Sequence, residues 1–162
     1  MPPEMRLLRL MQAGPGSPRD PGHTSDIANL PATPERTVME YLVGVALGIA
    51  ACGLGTAAGL ERDRAFYPVM MIVIASYYEL FAVLGGGRSA LVVEIAISAV
   101  FVCLALVGFR NSLWIVAAAL LGHAGLDVVH GHVVTNAGVP PWWPMFCASI
   151  DAVAAFYLAW RL

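Results

Sequence analysis

Six side chains of this chain are of types that do chemistry, and all six lie within apolar stretches: Glu79, Glu94, His123, Asp127, His130 and Asp151. No Lys or Arg stands among them to balance the four carboxylates. An acid removed from water must be protonated, paired or bound to a cation. Carboxylate oxygens with imidazole nitrogens form a donor set for a divalent metal, here Fe, Mn or Zn. On this expectation Glu94, His123, Asp127, His130 and Asp151 are metal ligands, and Glu79 is a ligand or the general base of a catalytic site. The donor count equals that of dinuclear carboxylate sites inside helix bundles. Only Asp127-Val-Val-His130 has their carboxylate-x-x-His spacing, so one metal is as good a fit as two. Two other chemistries suit the same residues: a relay for protons or cations, and a neutral hydrogen-bonded polar core.

Composition says what must hold these residues. The chain has 162 residues, 59% of them hydrophobic and 12% charged, with mean hydropathy +0.72. Soluble domains carry about a quarter charged residues. An ordinary water-soluble enzyme and a disordered chain are both excluded. The nine basic residues are all Arg and the net charge is −2, which gives no basic face for nucleic acid. Cys52, Cys103 and Cys147 sit in apolar stretches without zinc-knuckle or disulfide-framework spacing.

Five apolar segments, 38–60, 66–84, 89–108, 112–134 and 144–161, are each near the ~20 residues that cross a bilayer. Period-two alternation is absent, so the backbone in lipid must be helical. The expected fold is all-α: a polytopic bundle of five transmembrane helices over residues 37–162. Residues 1–36 hold seven of the eleven prolines and read as a disordered tail, or as upstream sequence ahead of a start at Met39. Tyr41, Phe66, Tyr67, Trp114, Trp142, Trp143 and Trp160 fall near segment ends, as an interfacial belt in contact with membrane lipid does. Arg62, Arg64, Arg110 and Arg161 share one face. The positive-inside rule makes that face cytoplasmic and the N-terminus external, in a cell membrane.

Threaded through this layout, the polar residues converge. Glu79 lies five residues before the end of its segment, roughly 8 Å deep at the helical rise. Glu94 leaves the same face at a similar depth, and Asp127, His130 and Asp151 fall in the same half. His123 is the deepest. On a helix His123, Asp127 and His130 lie within about 60° of one another, while His132 points away. A bis-His haem would need imidazoles on facing helices, and all of these are on one. His-Glu-x-x-His and Ser-His-Asp patterns are missing. Cys147, one turn before Asp151, is a soft donor or an inert buried thiol.

Gly44, Gly48, Gly55 and Gly59 in the first segment have the small-xxx-small spacing of close helix approach. They suit either a homodimer contact or packing inside the bundle. Val139-Pro-Pro-Trp-Trp-Pro144 is a lid above the cluster or a rigid turn with interfacial anchors. The run His123-Ala-Gly-Leu-Asp127-Val-Val-His130, with Pro141-Trp-Trp-Pro144, Cys147, Asp151 and Tyr157-Leu-Ala-Trp-Arg161, resembles a family of small bacterial multi-pass integral membrane proteins grouped as a domain of unknown function. The resemblance covers mainly residues 112–161. It implies that the five-helix layout is a complete unit and carries no activity with it.

Overall fold

A computed structural model describes residues 34–162. The tail expected over 1–36 therefore lies, up to residue 33, outside the described residues, and helix has begun by Pro34. The helices are α1 (Pro34–Ala57), α2 (Phe66–Phe81), α3 (Gly87–Arg110), α4 (Leu113–Val133) and α5 (Trp143–Arg161). No strand occurs among the described residues. Four helical runs are long and apolar enough to cross a membrane: Thr37–Ala57, Phe66–Arg110, Leu113–Val133 and Trp143–Arg161.

The second of those runs covers 45 residues and contains two of the five expected segments. Its interior departs from the break expected between the segments 66–84 and 89–108. The helix continues through a single π-helical turn, Ala82–Gly86, and the direction changes at one residue, Gly87, with φ 83° and ψ 174°. Only glycine adopts that backbone without strain. α2 and α3 pack against each other on either side of it. Gly138 of the α4–α5 connection lies so close to this turn that a Cβ on it would collide with the Phe81 carbonyl.

Local signals set the other ends. Asp63 Oδ1 accepts from Ala65 N at 3.1 Å just ahead of α2, and Arg64 takes a positive φ of 64° there. Ser112 Oγ accepts from Trp114 N at 3.4 Å, the capping position of α4. Pro144 occupies the first turn of α5, where a missing N–H costs nothing.

α5 lies between α1 and α4, α4 packs on α3, and α2 touches α4 and α5 as well as α3. Every partner thus borders the α4–α5 pair. The core is built from small and medium residues: Met71, Ala75, Ala105, Val116, Ala117, Leu120, Ala154 and Leu158 are buried. Close approach of α1 to α5 rests on glycine. A Cβ on Gly44 would stand 2.5 Å from the Phe146 carbonyl oxygen and 2.8 Å from Ser149 Cβ, and one on Gly48 would stand 3.0 Å from Val153 Cβ. Gly55 faces the Phe66 ring, and Gly59, at φ +72°, adjoins the Arg62 side chain. Within the chain, Gly44 and Gly48 are thus covered by α5.

This packing separates two alanine substitutions on α1. Gly53 has nothing within 4 Å of an added Cβ. Gly53→Ala should raise the thermal unfolding temperature in mild detergent, because alanine is favoured over glycine in a helix by up to about 1 kcal/mol. Gly44→Ala should lower it, since crowding of this kind costs about 1–3 kcal/mol.

Candidate metal centre

α4 supplies the floor of the site because its buried stripe recurs every three or four residues: Val116, Leu120, His123, Asp127 and His130. α5 brings Cys147 and Asp151 on consecutive turns of its buried face. α2 brings Tyr78, and α3 brings Glu94. Glu94, His123, Asp127, His130 and Asp151 are each no more than 2% exposed.

The polar residues divide into two stations. In the deeper one, His123 Nδ1 lies 2.7 Å from Asp151 Oδ2 and 3.5 Å from Asp127 Oδ2. His123, Asp127, Cys147 and Asp151 each present a donor atom, and the four atoms lie within 4.8 Å of one another. Two buried carboxylate oxygens here, Asp127 Oδ2 and Asp151 Oδ1, make no hydrogen bond of ordinary geometry, and Asp127 Oδ2 has only its long contact with His123 Nδ1. Buried polar atoms are almost always satisfied, so two orphans in one cluster call for a ligand or a proton.

In the second station, Glu94 Oε1 lies 2.9 Å from His130 Nε2 and accepts from Asn136 Nδ2 at 2.9 Å. Asn136 also donates to the Tyr78 carbonyl at 3.1 Å and accepts from Gly138 N at 3.2 Å, which ties the α4–α5 connection to the bundle. Tyr78 joins the stations. Its ring stacks on His130 with centroids 3.9 Å apart, and its hydroxyl donates to Asp127 Oδ1 at 2.6 Å.

Compared with known proteins, the chain matches no family profile, no curated protein and no solved structure. Geometry alone must carry the interpretation of the site.

Of the residues expected from sequence, the structure gathers His123, Asp127 and Asp151 into the four-donor group. It places Glu94 and His130 beside that group as a pair of their own. Glu79 is half-buried and outside both stations, and its carboxylate has no hydrogen-bond or ion-pair partner among the described residues. Its neighbour Tyr78 occupies the inward position instead. His132 is exposed, as its angle on the helix requires. Cys147 joins the group as a donor. Tyr78 and Asn136 are the residues that sequence reasoning missed. The buried series Tyr67, Met71, Ile74, Ala75, Tyr78 and Ala82 does follow a helical stripe. In a segment apolar on every side, however, nothing marks that stripe in advance. Trp143 packs on Tyr77 and Phe81 with centroids 4.8 and 4.9 Å away, while Trp142 is more exposed. The Pro-Pro-Trp-Trp-Pro segment is thus anchored to α2 by one of its two indoles.

Tyr78→Phe keeps the ring on His130 and strips Asp127 of its donor. Leaving a buried acceptor unpaired should destabilise the folded protein by about 1–3 kcal/mol. Tyr77→Phe, whose hydroxyl makes no hydrogen bond among the described residues, should change the unfolding temperature much less.

Proposed function

We propose that this chain is a multi-pass membrane protein that holds a divalent cation between α4 and α5, with His123, Asp127, Cys147 and Asp151 as its ligands. The observation that carries the proposal is the pair of buried oxygens without a hydrogen bond, Asp127 Oδ2 and Asp151 Oδ1, in a group where His123, Asp127, Cys147 and Asp151 each bring a donor atom within 4.8 Å of the others. A cation would satisfy both oxygens at once, taking the place of the proton that now joins His123 Nδ1 to Asp151 Oδ2. Iron, manganese and zinc all suit carboxylate and imidazole. The thiolate shifts the preference to zinc, which binds mixed nitrogen, oxygen and sulfur donors in sets of four.

The chain would cross the bilayer five times, with Phe66–Arg110 making two crossings about Gly87 and the N-terminus outside. Outward-facing Val83, Leu84, Val92, Val100, Phe156 and Trp160 are all more than half exposed, and they suit acyl chains better than water. Bound cation would act as a Lewis acid or hold an activated water toward a lipid-soluble substrate. Carboxylate ligands suit that role, because a shift between one and two coordinating oxygens can vacate a position.

A through-pathway for protons or cations has less support. Beyond His123 toward the start of α4, the buried residues are Leu120, Ala119, Ala117 and Val116. Past Asp151, α5 buries Ala154, Ala155 and Leu158. On α4 and α5 the line of carboxyl and imidazole groups therefore stops at His123 and Asp151, with apolar residues beyond.

Protein extracted in mild detergent from zinc-replete cells should carry about one zinc per chain. Asp127→Asn combined with Asp151→Asn should lower that content about tenfold or more while the helical signal persists. A folded wild-type protein without stoichiometric metal would overturn the assignment.

A further inference from the structure

A cleft of about 380 Å³ lies where α4 ends and the connection to α5 begins, walled by His130, Gly131, Val134, Thr135, Asn136, Val139 and the prolines 140, 141 and 144. Its wall includes two residues of the second station, His130 and Asn136. The other large hollows differ. Two lie along apolar helix faces, one bounded by Met70, Ile74 and Ile150 and the other by Phe101, Leu104 and Ile115. A third adjoins Met39, Val43 and Phe146, and a fourth sits among Glu61, Arg62 and Arg161. Of these five hollows, the 380 Å³ cleft is the one with members of a polar station in its wall.

We propose that this cleft is the aqueous entrance of the cation site, with the Glu94–His130–Asn136 triplet as the first polar contact of an arriving divalent cation. The inference rests on the metal assignment above. A hydrated cation cannot cross an apolar helix face, because each donor it loses must be replaced on the way in. The cleft offers such replacements in order. Asn136 is half-buried at the wall, His130 and Glu94 lie deeper, and Tyr78 spans the last step with its ring on His130 and its hydroxyl on Asp127. Buried Glu94 offers a carboxyl oxygen to an arriving cation, held in place by His130 and Asn136 rather than by Lys or Arg.

Two glycines of α4 provide the test. Gly131 lines the cleft, Gly125 is exposed elsewhere on the same helix, and neither has an atom within 4 Å of an added Cβ. Gly131→Leu fills the entrance, and Gly125→Leu makes the same change outside it. Zinc release from the purified, loaded protein into excess chelator should slow about tenfold or more in Gly131→Leu, with zinc content unchanged, and proceed at the wild-type rate in Gly125→Leu. Equal rates in all three proteins, or equal slowing in both variants, would overturn the entrance while leaving the metal assignment intact. Absence of zinc from the wild type would overturn both, and it would be seen before any rate is measured.

Discussion

An acid buried inside an apolar helical bundle has no bulk water to solvate it, and no Lys or Arg pairs with the buried acids among the described residues. That single constraint organises the α4–α5 side of the molecule. Two carboxyl groups and an imidazole from α4 and α5 can share a space only if a proton or a cation sits among them. A centrally placed ionised carboxylate costs about 2.5–3.5 kcal/mol even by lenient measures. The chain meets this with short contacts: His123 to Asp151, Tyr78 to Asp127, His130 to Glu94 and Asn136 to Glu94. What those contacts leave over is two buried oxygens without a hydrogen bond, Asp127 Oδ2 and Asp151 Oδ1, and that remainder is what the proposed cation would satisfy.

The surrounding fold serves the same end. α5 can approach α1 closely because Gly44 and Gly48 carry no side chain, and this sets Cys147 and Asp151 at the centre of the bundle rather than at its rim. The turn at Gly87 lets α2 and α3 lie side by side, so that Tyr78 and Glu94 reach α4 from neighbouring directions. Asn136 then fastens the α4–α5 connection to both of them. The mouth of the cleft is thereby held by the residues that line it.

Much of this was legible in the sequence. Hydropathy runs of bilayer length placed the helices to within a few residues, and the angular rule put His123, Asp127 and His130 on one face and His132 off it. Other features were hidden for physical reasons. A triple glycine reads as a loop, yet two of those residues continue a helical turn and only Gly87 breaks it. Glu79 drew attention by its charge, while Tyr78, one position earlier, held the inward angle. Depth along a helix axis can be counted from sequence, but rotation about that axis cannot be fixed where all sides are apolar. Cys147 was ambiguous because a buried thiol looks the same whether inert or coordinating, until its neighbours in space are known. Asn136 lies in a connection whose path only the packed structure reveals.

X-ray absorption at the metal edge of the purified protein tests the central claim most directly. Zinc held by His123, Asp127, Cys147 and Asp151 predicts one sulfur neighbour at about 2.3 Å together with nitrogen and oxygen neighbours at about 2.0–2.2 Å. The sulfur neighbour should vanish in Cys147→Ser. A shell of light atoms alone in the wild type, unchanged by that substitution, would contradict the account.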